Sequence, residues 1–198
     1  MSDEIRSAGE IAREKIEKLG DITEEERMRW KYIPEGESLA NRYLNNKSYD
    51  LYTELKKYDK EAIKHIIEGA ESVLLAGIGL PQNEQSQNRS QRAMDGLKIL
   101  KNDQIAIEKV FERMNTVFDH YIGQGKQQRE QSYETIKTKY KAKLKQVLEQ
   151  QYGPTAGLDI DPENLPQFQE EWRQTTAQID MQYINLLEEY KKDIKAIK

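Results

Sequence analysis

The strongest charge pattern in the sequence is a row in which every second residue is a lysine: Lys137, Lys139, Lys141, Lys143 and Lys145. Residues two apart in a helix differ by about 200°, so these lysines form two rows beside Tyr140 and Leu144. Such rows could bind the phosphates of a nucleic acid or another polyanion. The favoured alternative is that they pair with acidic faces of neighbouring helices, such as residues 170–171 or 188–189.

Two other groups contain residue types that can act as metal ligands, and each is a candidate metal site. Residues 159–163 resemble the start of an EF-hand calcium loop, and Glu170 falls at its twelfth position. Asn164 occupies the sixth position, where glycine is expected, so we interpret these acids as favourable charges at a helix N-terminus. Neither His65 nor His120 follows a glutamate by three residues, as a di-iron bundle requires. We therefore expect no metal and no cofactor.

Residues 27–32, Arg-Met-Arg-Trp-Lys-Tyr, alternate basic and aromatic side chains, as single-strand nucleic-acid binders do. The favoured interpretation is that these aromatic residues dock a short helix on the rest of the protein. No nucleophile elbow or phosphate-binding loop occurs, and residues 77–79 lack the third glycine of a dinucleotide fingerprint. We therefore expect that the protein is not an enzyme.

The composition favours long helices with narrow apolar seams. Of the 198 residues, 36% are hydrophobic and 33% are charged, which is poor for wide buried faces. The absence of cysteine excludes disulfides, cysteine-based zinc sites and thiol nucleophiles. Residues 1–4 are polar and acidic, unlike a signal peptide, and no apolar run approaches the roughly 20 residues that span a membrane. We expect a cytoplasmic protein without a membrane partner.

Apolar spacing predicts four long helices, at about residues 49–76, 91–122, 126–152 and 166–197. Residues 81–90 are predicted to be an exposed loop, and residues 123–125, Gly-Gln-Gly, a turn. Asp59 could divide the first of these helices in two. Short connections favour antiparallel neighbours, so we predict an all-α, elongated antiparallel up-down bundle over residues 47–198.

Residues 1–46 are predicted to form an appendage of short helices. The first covers residues 3–19. A capping box of Thr23 and Glu26 starts the second, which Pro34 ends. A third short helix is predicted at residues 38–46.

The bundle prediction includes a register for the core. Phe111, Met114 and Phe118 are expected to face residues of the last helix, with Tyr140 and Leu144 alongside. The residues expected on the last helix are Trp172, Ile179 and Leu186.

Residues 7–15, Ser-Ala-Gly-Glu-Ile-Ala-Arg-Glu-Lys, resemble the N-terminus of small bacterial proteins from families of unknown function. The resemblance implies a bacterial cytoplasmic protein and assigns no activity. Sparse apolar stripes on long helices are coiled-coil-like seams that require partners. The sequence therefore predicts a structural or protein-interaction module that self-associates or binds another protein, with polyanion or nucleic-acid binding as the less favoured alternative.

Overall fold

The computed structural model describes residues 23–153 and 161–197, in which every regular element is helical. The α-helices are α1 (Glu24–Asn45), α2 (Leu51–Leu55), α3 (Lys60–Gly77), α4 (Glu84–Leu100), α5 (Gln104–His120), α6 (Lys126–Tyr152) and α7 (Pro166–Ala196). A π-helical segment, Tyr121–Gly125, joins α5 to α6, and a 3-10 turn, Pro162–Asn164, precedes α7. The all-α prediction is confirmed. The helix predicted at residues 3–19 lies outside the described residues.

The chain divides after Leu74 into two compact units. The first contains α1, α2 and most of α3, and the second contains α4 to α7. The domain boundary predicted after residue 46 falls inside the first unit, between α1 and α2. The up-down arrangement of the bundle stays a prediction.

Side-chain caps set the starts of the helices in the first unit. Thr23 and Glu26 form the predicted capping box, in which the Glu26 amide donates to Thr23 Oγ1 and the Thr23 amide donates to the Glu26 carboxylate. Asp59 Oδ1 accepts a hydrogen bond of 2.8 Å from the amide of Ala62. Asp59 therefore starts α3 as a helix separate from α2, as the sequence allowed.

Helix α1 continues through Pro34, so the predicted end at this residue is wrong. An interior proline loses a backbone hydrogen bond and costs about 3 kcal/mol or more. Beside this proline α1 packs closely on α3, because Ile33 and Gly36 meet α3 backbone to backbone. A Cβ on Gly36 would lie 2.0 Å from the carbonyl oxygen of Ile66, and one on Gly69 would lie 2.1 Å from that of Ile33.

The second unit departs from the predicted helix boundaries near α4. Asn83 and Ser86 cap each other's amides, so α4 begins at Glu84, inside the loop predicted at residues 81–90. The single helix predicted at residues 91–122 is interrupted after Leu100. Asp103 restarts the chain as α5 by accepting a hydrogen bond of 2.9 Å from an amide of its first turn.

The turn predicted at residues 123–125 is also wrong, because the chain stays helical from residue 104 to residue 152. Glycine permits a turn but does not impose one. Gly125 has ordinary helical angles (φ −61°, ψ −37°) and is buried. A Cβ on Gly125 would lie 2.8 Å from the hydroxyl of Tyr183. This glycine therefore serves a close contact with α7 inside one long helix.

Helix α7 runs antiparallel to this long helix, with its C-terminal half beside α5 and its N-terminal half beside α6. Arg113 of α5 pairs with Asp193 at 3.9 Å, whereas Tyr140 of α6 packs on Phe168 with 5.7 Å between ring centroids. The two helices are therefore aligned along most of the length of α7.

The alignment corrects the predicted core register. Trp172 packs on Tyr133 of α6, so it does not face Phe111. Phe111, Met114 and Phe118 are buried as expected, and so is Ile179. Leu186, predicted in the core, is 41% exposed.

Candidate interaction site on the helical arm

Helix α6 and residues 166–180 of α7 form an antiparallel helix pair that we call the arm. Its seam is a series of aromatic rings that meet edge to face. Tyr133 lies 5.6 Å from Phe168 and 5.1 Å from Trp172 between ring centroids. Phe168 also contacts Tyr140. Such pairs add about 0.5–1.5 kcal/mol beyond the area they bury, so they hold the two helices in one register.

Ion pairs flank the aromatic seam and link the two sides of the arm. Lys137 bonds to Glu163 of the 3-10 turn, and Lys139 Nζ lies 2.7 Å from the carboxylate of Glu171 in α7. The hydrogen bond from Lys139 holds the pKa of Glu171 below its ordinary value, and the same bond raises the pKa of Lys139. These two lysines are therefore already bound to carboxylates of their own chain.

The remaining lysines of the row are placed differently. Lys143 lies over the ring of Tyr140, 5.4 Å from its centroid, and Lys145 lies 3.9 Å from Glu149 with a side chain that is 76% exposed. Lys141 helps to lower the pKa of Glu163, although the hydrogen bond from Lys137 is the larger cause. The pairing of Lys137 and Lys139 agrees with the favoured alternative, in which the lysines pair with acidic residues of their own chain. Polyanion binding stays a prediction.

A polar cluster that the sequence did not predict lies at the base of the arm, beside the π-helical segment. Arg129 Nη2 donates to the carbonyl oxygen of Tyr121 at 3.2 Å, and Arg129 Nη1 lies 3.5 Å from Asp180 of α7. The guanidinium also lies over the Tyr121 ring, 4.1 Å from its centroid. Burial, followed by the charge of Asp180, raises the pKa of Tyr121. The cluster anchors α6 to α7.

The only sequence signal for this cluster was residues 123–125, two glycines within an otherwise helical pattern. Single π-turns inside α-helices occur frequently at functional sites. The same segment brings His120 to Tyr183, where the imidazole Nδ1 and the hydroxyl are 2.9 Å apart.

The histidines and acids considered for a metal site are dispersed. His65 is buried, and its Nδ1 lies 3.8 Å from Glu68 Oε2. Within residues 23–153 and 161–197, no group of three or more His, Cys, Asp or Glu side chains could hold a metal ion. Asp159, the first residue of the EF-hand-like sequence, lies outside the described residues.

The aromatic residues of the sequence at 27–32 do not dock as one unit. The interpretation that they dock a short helix on the rest of the protein is therefore wrong for the tryptophan. Trp30 is 66% exposed. Tyr32 does pack, edge to face on Tyr58, with 6.4 Å between ring centroids. Successive residues of α1 face different directions, which separates these two aromatic side chains.

A groove of about 460 Å³ lies between the two helices of the arm. It is lined by Lys126, Arg129, Glu130, Tyr133, Glu134 and Trp172. Both aromatic side chains are half-buried. Lys126 and Glu130 lie 3.8 Å apart, and their side chains are 68% and 64% exposed. The groove thus combines aromatic surface with charges of both signs.

Comparisons with known proteins give one match. The model of a family described as a family of unknown function (DUF6657) matches residues 52–196, which include the whole arm. No curated protein and no solved structure matches the chain. The prediction of a family of unknown function is therefore confirmed, through a region that excludes the N-terminal residues 7–15. No helix in the described part of the chain is both long and apolar enough to cross a membrane.

Proposed function

The chain belongs to the DUF6657 family, and we propose that it is a non-catalytic helical module that self-associates through the arm. One observation supports this proposal above the others. Helix α6 is 27 residues long, yet Ile136 is its only buried residue. Most of the stability of a helix in a protein comes from packing an apolar face, so a long helix with so little burial favours a further packing partner.

The seam of the arm supports the same conclusion. Tyr133, Tyr140 and Trp172 are half-buried, so each keeps aromatic surface that a partner could cover. When a second copy packs on the arm, each helix of the arm gains a further helical neighbour. The Tyr133 and Trp172 end of the aromatic seam would then lie inside a core. The proposed role is therefore structural: the arm joins copies of the chain.

Polyanion or nucleic-acid binding through the lysine row is the alternative proposal. The exposed Lys145 supports it, whereas the ion pairs of Lys137 and Lys139 compete with any bound phosphate. Binding of this kind is salt-sensitive. It predicts that Lys137, Lys141 and Lys145 changed together to glutamate abolish retention on a polyanion column at low salt. A cytoplasmic location stays a prediction.

Light scattering during size-exclusion chromatography tests the self-association proposal. The wild-type chain is expected to elute with a mass above that of one chain, and Trp172→Ala is expected to shift the protein towards the monomer. Trp30→Ala is the matched control, because it removes the other tryptophan, which lies in the first unit and is 66% exposed. A monomeric wild-type protein, or equal shifts in both variants, would overturn the proposal.

A further inference from the structure

We infer that the occupant of the groove is a second copy of the chain, placed antiparallel across a two-fold axis near Arg129. In this arrangement, Lys126 of each copy lies between Glu130 and Glu134 of the other copy. The inference rests on the proposed self-association, and adds to it the face, the direction and the register of the contact.

The spacing of the charges along α6 carries the inference. Lys126, Glu130 and Glu134 are four residues apart, so they lie on one face of the helix and line the same groove. A two-fold axis reverses the order of charges on the second copy, so each lysine meets carboxylates. With the axis at residue 129, Lys126 is level with residue 132 of the other copy, about 3 Å along the helix from each glutamate position.

Two-fold symmetry makes this arrangement self-complementary. Every contact between residues 126 and 130, or between 126 and 134, occurs twice. Arg129 lies close to the axis, where two like charges would otherwise meet. Its guanidinium is turned instead towards Asp180 and the Tyr121 carbonyl of its own copy, and its side chain is only 18% exposed. The axis therefore brings no unpaired positive charges together.

The aromatic part of the groove adds an apolar centre to these polar contacts. Tyr133 and Trp172 are half-buried in the single chain and line the groove directly. Tyrosine and tryptophan are enriched among the residues that contribute most to protein interfaces. A groove for a strongly acidic or strongly basic peptide would carry charges of one sign, whereas this one carries both.

Charge exchange between two variants tests the arrangement. Lys126→Glu makes the three groove positions acidic, and Glu130→Lys with Glu134→Lys makes them basic. Each variant alone is expected to self-associate about tenfold more weakly than the wild type, because like charges then face each other. An equal mixture is expected to form a mixed dimer with an affinity close to that of the wild type, measured by analytical ultracentrifugation with one variant labelled. Circular dichroism checks that both variants keep their helix content.

Cross-linking through an introduced cysteine gives an independent readout. The reaction is specific to the introduced site, because the natural chain has no cysteine. Glu130→Cys places a thiol beside the proposed axis, and a short bis-maleimide is expected to join two copies through it. Gln128→Cys is the matched control, since residues two apart point to opposite sides of a helix. It is expected to give little cross-linked product.

The outcomes separate this inference from the proposed function. Preferential mixed dimers and cross-linking at residue 130 would support both. If the wild type self-associates but the variants show no preference for each other and residue 130 does not cross-link, the register is wrong and self-association stands. If the wild type is monomeric, both are wrong. If only the Gln128→Cys variant cross-links, the copies meet through the opposite face of α6, which also overturns the register.

Discussion

Gly36 of α1 lies so close to Ile66 of α3 that a Cβ on the glycine would be 2.0 Å from the isoleucine carbonyl oxygen. The contact is reciprocal, because a Cβ on Gly69 would lie 2.1 Å from the carbonyl oxygen of Ile33. Both obstacles are backbone atoms, which cannot rotate away as a side chain can. The crossing of α1 and α3 therefore depends on two glycines.

Gly36→Ala is expected to destabilise the first unit, because the added methyl group must push two helix backbones apart. Overpacking of this kind costs roughly 1–3 kcal/mol, and more where backbone must move. Thermal unfolding followed by circular dichroism measures the loss. The control is Gly123→Ala, where an added Cβ meets nothing within 4 Å. That variant is expected to be neutral or stabilised by up to about 1 kcal/mol. A Gly36→Ala protein that melts like the wild type would contradict the crossing.

Gly125→Ala tests the contact between the π-helical segment and α7. The new Cβ would lie 2.8 Å from the Tyr183 hydroxyl, which bonds to His120. We expect a loss of about 1–3 kcal/mol from the forced displacement. Adding Tyr183→Phe removes the obstructing oxygen, so the double variant is expected to be more stable than the sum of the single changes predicts. Strict additivity in urea unfolding would show that the two residues do not meet.

Phe111→Ala and Trp172→Ala should each lower the free energy of unfolding. The two losses are expected to depend differently on protein concentration. Phe111 is 2% exposed, so its truncation should cost about 3–5 kcal/mol at any concentration. Trp172 is half-buried in the single chain and would become buried only on association. The stability lost by Trp172→Ala should therefore increase with protein concentration. Urea titrations at several concentrations measure this difference, and equal concentration dependence in both variants would refute it.

The acid stability of the arm is expected to depend on carboxylates that bond to neighbouring cations and amides. Hydrogen bonds from Arg173 and then Gln174 lower the pKa of Glu170 from its ordinary value of 4.5 to about 2, and that from Lys139 lowers the pKa of Glu171. A lowered carboxylate pKa contributes stability that is complete above pH 4.5 and is lost as the pH falls through the folded value. The arm should therefore lose stability between about pH 4.5 and pH 2.

Glu171→Gln is expected to make this acid-induced loss shallower, because the glutamine does not titrate. Urea midpoints between neutral pH and pH 3 measure the slope. Glu189→Gln, a change at an exposed residue of the same helix, should leave the slope unchanged. An identical slope for wild type and Glu171→Gln would show that the ion pair with Lys139 does not contribute.

The sequence predicted those features of the fold that depend on neighbouring residues. Thr23 starts α1 as predicted, Asp59 starts α3 as the sequence allowed, and α6 ends at the predicted residue, because caps and apolar periodicity act within a few turns. The predicted helix end at Pro34 and the predicted turn at residues 123–125 are wrong. Their conformations depend on contacts with α3 and α7, which are distant in sequence. Local propensity cannot report such contacts.

The candidate site was predicted only in part, for the same reason. The lysine row was visible as a charge pattern, and the pairing of Lys139 with Glu171 agrees with the favoured interpretation. The cluster of Arg129 with Tyr121 and Asp180 joins residues that are far apart in sequence. Their proximity follows from the alignment of α6 with α7, and the predicted alignment was shifted by several turns.

Sedimentation equilibrium of the intact wild-type chain across micromolar concentrations tests self-association through the arm most directly. Self-association through the arm predicts a weight-average mass that rises with concentration from that of one chain towards that of two. Trp172→Ala should displace this rise to higher concentration, because the arm is then less able to associate. A mass equal to one chain at every concentration would show that the arm does not join copies of the chain.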